Sequence, residues 1–199
     1  MPRGTTERGR AKSDRQAALV REAARLFADR GFSGVSLEDL GAAVGVSGPA
    51  VYRHFANKQA LLGAILIGVS EGLRDGGRSV VAQHDSAVRQ LDALVDFHVD
   101  FALDESDVIR VQDRDLASLS DHDRSRVRHL QREYEDTWID VLRAVHPDRS
   151  EGDLRVRAHA CFGLINSTPY SLRASRAASV DDAVVRDVLH DMAIAALTA

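Results

Sequence analysis

One cysteine in 199 residues, Cys161, excludes an internal disulfide framework and any zinc site built from several thiolates. Inside HACFGLI it reads as a small buried hydrophobe. Long apolar runs are also missing. Stretches such as LLGAILIGV are short and flanked by charge, well below the ~20 residues that a bilayer-crossing helix needs, so no membrane partner is expected. The leading MPRGTTERGRAKSDR is polar and basic with no apolar segment behind it, which argues against a secretory signal and for a cytoplasmic protein. The chain lacks a Gly-x-Ser-x-Gly elbow, a phosphate-cradling glycine loop and a His-Glu-x-x-His pair, so no catalytic residue, cofactor or metal is assigned. The eight histidines are scattered. Asp96-Phe-His98-Val-Asp100 and Asp121-His122-Asp123 resemble ligand sets on paper, but helical residues two apart do not share a face, so solvated or locally paired histidines are expected there.

What the chain does have is helical periodicity. Only four prolines interrupt it, no segment alternates with period two, and 44% of residues are hydrophobic, enough for a substantial core. An all-α protein follows. Leu19, Ala23, Leu26 and Phe27 stripe a first helix from about Asp14 to Gly31. Ser36 and Asp39 have the spacing of a capping box at the head of a short second helix, Leu37 to Val44. Gly45 can take the left-handed turn that ends it, and Ser47 can cap a third helix to about Phe55, with Pro49 tolerated in its first turn. Asn57 caps a fourth helix, and the pair Gly76-Gly77 marks a bend or joint. Further stripes are Val88, Leu91, Val95, Val99 and Ala102; then Val127 to Val145 behind a Ser120 cap; a helix over Val156 to Ser171; and Val184, Val188, Met192 and Ala195 behind Asp181-Asp182.

Charge is distributed unevenly. Residues 1–58 carry ten lysines and arginines against six acidic residues, while the whole chain is net −4. A basic head on an acidic body directs the search for a polyanion partner to the head.

Two short helices joined by a tight glycine turn form a helix-turn-helix, whose second helix presents its N-terminal end to the DNA major groove. Small residues Gly48 and Ala50 permit close approach to base edges. Tyr52, His54 and Lys58 place polar tips at the groove margin, suited to phosphate oxygens. Val51 and Phe55 should face inward. Arg3, Arg8, Arg10, Lys12 and Arg15 form an arm able to follow the backbone or minor groove.

Over these sixty residues the chain resembles TetR-family transcriptional regulators, in AARLFADRGFSGVSLEDLGAAVGVS followed by AVYRHFANKQALL. The resemblance implies phosphate contacts from Ser36, Tyr52, His54 and Lys58, and base-facing positions from Ser47 through Gly48, Pro49 and Ala50 to Arg53. Gly48-Pro49-Ala50 departs from the donor-bearing residues common there, shifting readout to Arg53, thymine-methyl contacts and DNA shape. The implied organisation is a helix-turn-helix domain, residues 1–58, followed by a helical-bundle domain, 59–199, for effector binding and dimerisation. The stretch RVRAHACFGLINSTPYSLR is similar to a group of actinobacterial-type members, some of which respond to acyl-CoA or related lipids.

Bundles house ligands between facing helices, and Phe97, Phe101, Tyr134, Trp138, Phe162, Asn166, Tyr170 and Arg173 are the large or polar-tipped residues available for an effector site. The expectation is a homodimeric repressor that binds double-stranded DNA at a palindromic operator and releases it to a small apolar effector such as an acyl-CoA. A repressor of a drug-efflux gene and an architectural DNA-binding protein without an effector are the competing readings.

Overall fold

The computed structural model describes the backbone of residues 7–174 and 180–199, and the side chains of residues 16–168, 171–172 and 180–199. Among these residues the chain is helical and without strand: α1 (Glu7–Arg30), α2 (Leu37–Ala43), α3 (Gly48–Val51), α4 (Lys58–Ala82), α5 (Ala87–Asp104), α6 (Ser106–Asp115), a 3₁₀ turn (Leu116–Ser118), α7 (Asp121–Val145), α8 (Glu151–Ala174) and α9 (Asp182–Thr198). No described helix is long and apolar enough to cross a membrane. Two compact units result, Met1–Gly68 with Arg110–Ser125 and Val69–Ile109 with Arg126–Ala199. A segment from mid-chain therefore joins the N-terminal helices, whereas the sequence pattern divides the chain once, after residue 58.

In the first unit Leu19, Ala23, Leu26 and Phe27 of α1 are buried with Leu40 of α2, Val51 and Phe55 around α3, and Leu61 and Leu62 of α4. The α1 helix begins at Glu7, a turn and a half or more before the predicted Asp14. The side chains of the basic arm lie outside the described residues. The capping box forms as expected. Ser36 Oγ accepts from the Asp39 N–H at 3.0 Å, and the Ser36 N–H donates to Asp39 Oδ2 at 2.8 Å. Gly45 has φ 69°, and Val46 N–H bonds back to Gly41 O at 2.8 Å. That return depends on Gly41, where a Cβ would stand 2.7 Å from Val46 O. The α3 helix stops at Val51 rather than near Phe55. The N–H groups of Arg53 and His54 bond three residues back, to Ala50 and Val51, which tightens the last turn into 3₁₀ form. Asn57 caps α4, accepting from the Ala60 N–H at 2.7 Å.

The 110–125 segment is tied into this unit by its polar side chains. Arg114 donates to the carbonyls of Phe27 and Ala28 in the last turn of α1, the first of which also accepts from the Gly31 N–H. Asp115 accepts from the Phe32 N–H, and Gln59 donates to Ser118 O at 2.8 Å.

In the second unit α5, α7, α8 and α9 enclose a core of Leu91, Leu94, Val95, Val99, Tyr134, Trp138, Leu142, Leu154, Ala158, Ile165, Leu189 and Ala193. Two sequence expectations fail here. Gly76-Gly77 is no joint, because α4 runs through both. The glycines instead clear room for rings: a Cβ at Gly76 would overlap Phe97, and one at Gly77 would come 2.5 Å from Tyr134 Cε2. On α9 the stripe Val184, Val188 and Met192 is about half exposed, while Val185, Leu189, Ala193 and Leu197 face the core. Val88, placed on the α5 stripe with Leu91 and Val95, is exposed.

Candidate nucleic-acid interface and effector chamber

Most of the residues predicted to face DNA are solvent-accessible. Ser36, Ser47, Pro49, Tyr52 and Arg53 are exposed, and Ala50 and His54 partly so. Ser47 sits at the N-cap position of α3 but makes no side-chain cap bond. Pro49 supplies no N–H at the second helical position, and the Ala50 N–H is taken by Ser47 O, so the serine hydroxyl has no helical donor to accept from. The Ser36 hydroxyl is held by Asp39 Oδ2 at 2.7 Å. Donation from Ser36 backbone and hydroxyl holds the Asp39 carboxyl below its ordinary range. His54 Nδ1 is buried without a partner, although its residue reaches the surface.

Two of the named residues are turned inward. Gly48 is buried against α2, where a Cβ would meet the Glu38 side chain at 3.3 Å. The Lys58 ammonium donates to Phe32 O at 2.6 Å and Val35 O at 2.8 Å, and lies 4.5 Å from the Phe32 ring centroid. It neutralises carbonyls of the loop between α1 and α2, a role its place beside Asn57 in the sequence did not reveal.

The aromatic residues named for an effector converge in the second unit on a residue the sequence pattern passed over. His98 of α5 is 3% exposed, not solvated, and its ring centroid is 4.9 Å from Phe162, 5.8 Å from Tyr134, 5.8 Å from Phe101 and 5.9 Å from Trp138. Phe97 meets Tyr134 edge-on at 6.5 Å. The signal was available: His98 falls on the same helical stripe as Leu91, Leu94, Val95 and Ala102. Burial depresses its pKa to about 4, with Asn166 the one neighbour favouring the charged form, so the imidazole is neutral at pH 7. Tyr134 Oη lies 3.1 Å from Nδ1, where the hydroxyl can donate. Burial drives the Tyr134 pKa upward and that of Cys161 up to about 12, leaving both protonated.

Three buried polar atoms among these rings lack a hydrogen bond of good geometry, His98 Nε2, Trp138 Nε1 and Asn166 Oδ1, although Asn166 interacts with His98 and Trp138 with Tyr134. A buried donor or acceptor left unpaired costs ~1–3 kcal/mol, so imperfect pairing at these three atoms is a cost that the surrounding apolar packing offsets. The Tyr170 and Arg173 side chains lie outside the described residues.

A helix-turn-helix with Pro49, Tyr52 and Arg53 exposed at its second helix, in one chain with a helical bundle, is the architecture of a DNA-binding transcription regulator. Residues 19–65 match the family model for bacterial regulatory proteins of the tetR family, and residues 84–170 match a tetracyclin repressor-like C-terminal domain. The chain belongs to the TetR family. It is 30% identical over 141 residues to the HTH-type transcriptional repressor KstR2 of Rhodococcus jostii (strain RHA1), covering 70% of this chain and 69% of that one. The fold is shared with a TetR-family regulator from Bordetella parapertussis 12822, at TM-score 0.79 and 23% identity over 89% of this chain and 93% of that one. It is shared also with AibR, solved in complex with isovaleryl coenzyme A and operator DNA, at TM-score 0.74 and 21% identity over 89% and 97% of the two chains.

Proposed function

We propose that this protein is a homodimeric repressor that holds a palindromic operator and releases it when an acyl-CoA, or a comparable lipid-like thioester, enters the aromatic chamber. The observation that carries the reading is the gathering of poorly satisfied polar atoms, His98 Nε2, Trp138 Nε1 and Asn166 Oδ1, among the rings of an otherwise apolar core. A thioester carbonyl is a neutral acceptor for an N–H of His98 or Trp138, and the chain behind it suits the faces of Phe97, Phe101 and Phe162. A neutral imidazole at the centre favours a neutral group over a free carboxylate. The isovaleryl coenzyme A in AibR and the repressor KstR2 support the same direction.

Dimerisation in this reading uses the outward face of α8 and α9. Val184, Val188 and Met192 are exposed there beside Ala195, and Val156 stands exposed on α8 with the small Ala160 and Gly163. Ala158 and Ala193, candidates for close approach by size, are fully buried in the protomer's own core. Paired recognition helices about one turn of DNA apart, ~34 Å, read a palindrome. Tyr52 and Ser36 contact phosphates in this account, and Arg53 with Pro49 and Ala50 faces bases.

Trp138 is the single tryptophan and is fully buried among these rings, so its fluorescence responds to a ligand that enters the cluster. Titrating tag-free protein with acyl-CoAs of medium and long chain should quench or shift that emission, with free CoA inert. Silence toward every acyl-CoA, together with a response to a planar cationic drug, would replace this reading with an efflux-type repressor.

A further inference from the structure

The contact between α5 and α9 carries a second donor set, away from the aromatic chamber. Asp92 and Asp96 stand four residues apart on α5, so both carboxylates project from one stripe of that helix. His190 of α9 meets them, its Nε2 lying 3.1 Å from Asp92 Oδ1 and 3.6 Å from Asp96 Oδ1. The three ligand-capable atoms all fall within 4.8 Å of one another.

One turn further along the same pair of helices, Asp100 of α5 is matched by Arg186 of α9. There a permanent cation answers one carboxylate. At Asp92 and Asp96 two carboxylates share an imidazole, and among the described residues no lysine or arginine is ion-paired with either. An imidazole N–H can donate to one of them along its axis; it cannot serve both well. A dication answers both charges and accepts the nitrogen lone pair together.

The spacing suits such an ion. Bonds of about 2.0–2.1 Å put adjacent ligand atoms about 3.4 Å apart in a tetrahedral site and about 2.9 Å apart in an octahedral one. The observed 3.1 Å falls inside that range and 3.6 Å lies just beyond it, so side-chain adjustment of Asp96 is enough to bring its oxygen to the ion. The imidazole selects the class of metal, since nitrogen suits zinc and its neighbours while magnesium and calcium take oxygen. The carboxylates are more than half exposed, at 56% and 58%, which leaves the remaining coordination positions open to water.

We propose that Asp92, Asp96 and His190 bind a borderline divalent transition-metal ion, zinc in class, which clamps α9 to α5. The clamp holds the helix whose opposite side presents Val184, Val188 and Met192 to solvent. The site is independent of the effector chamber and of any repressor function.

The test uses tag-free, chelator-treated protein and follows thermal unfolding with added zinc, manganese, magnesium or calcium. Zinc at a hundredfold excess over its dissociation constant should raise Tm by roughly 5–10 °C for a chain of this size, and magnesium and calcium should not. His190→Gln and the double variant Asp92→Asn with Asp96→Asn should each abolish the rise while keeping the far-ultraviolet dichroism of the parent. Asp191→Asn, which changes the carboxylate 3.7 Å from His190 Nδ1, should retain it. Cobalt should give a visible d–d band with the parent and none with the first two variants. No zinc effect on the parent, an undiminished effect in both ligand variants, or an equal effect of magnesium would overturn the proposal.

Discussion

Lowering the pH from 7 to 5 should cost the second unit about 2 kcal/mol through His98 alone. Its folded pKa is about 4 against an ordinary 6.5, because burial disfavours the imidazolium. Between those values the unfolded chain binds a proton that the folded chain refuses. The contribution is therefore intact above pH 6.5, declines as pH falls, and levels off below about 4, where both states are protonated. At about 1.4 kcal/mol per pH unit the full separation is worth about 3 kcal/mol, of which about 2 falls between pH 7 and 5. For a chain of this length that is a fall in Tm of roughly 4–8 °C. Other groups titrate over the same range, so the measurement is a difference: Tm against pH for the parent and for His98→Phe, which keeps a ring among Phe162, Tyr134 and Trp138 and cannot protonate. The parent curve should drop more steeply on the acid side, and the gap should open below pH 6.5. Parallel curves would refute the reasoning, showing that His98 is either protonated or hydrated in the folded chamber.

Lys58→Met should lower Tm as well as operator affinity, since it strips the cation from Phe32 O and Val35 O, whereas Tyr52→Phe should leave Tm unchanged and weaken specific and random duplexes alike; melting curves beside anisotropy on both DNAs separate the two. Gly41→Ala should destabilise the first unit by about 1–3 kcal/mol because the new methyl meets backbone at Val46 and Gly48, an effect visible in denaturant titration and absent at Gly68, where a Cβ meets nothing within 4 Å. Val188→Arg or Ala195→Arg should give folded monomers in light scattering with poor operator affinity; a dimeric, fully active variant would move the interface elsewhere.

Features made by neighbours in sequence were legible. The capping box at Ser36 and Asp39, the left-handed Gly45 and the Asn57 cap each depend on four or five consecutive residues, and each stands where the pattern puts it. The helix α9 shows where periodicity loses its power. It is apolar on two sides, Val185, Leu189, Ala193 and Leu197 on one and Val184, Val188 and Met192 on the other, so spacing alone cannot say which side meets the core. Gly76-Gly77 failed for a related reason: a glycine pair looks the same whether it bends a helix or clears space for the rings of Phe97 and Tyr134 twenty and more residues away. The anchoring of residues 110–125 by Arg114 and Asp115 depends on partners over eighty residues distant, beyond any local pattern. His98 is readable from its place on the α5 stripe, although Asp96 and Asp100, two residues to either side, give it the look of a solvated residue. Lys58 was read by its charge, while its surroundings are two carbonyls and a ring.

The central claim is that occupancy of the aromatic chamber governs DNA binding. The direct measurement is fluorescence anisotropy of the protein on a labelled palindromic duplex, selected by the protein itself from random sequence, during titration with a long-chain acyl-CoA. The parent should release the duplex over the same concentrations that change Trp138 emission. Phe162→Trp, which adds bulk inside the chamber, should bind the duplex normally and need at least tenfold more acyl-CoA for release. Release at unchanged acyl-CoA concentration in that variant, or retention of the duplex by the parent while Trp138 reports saturation, would contradict the account.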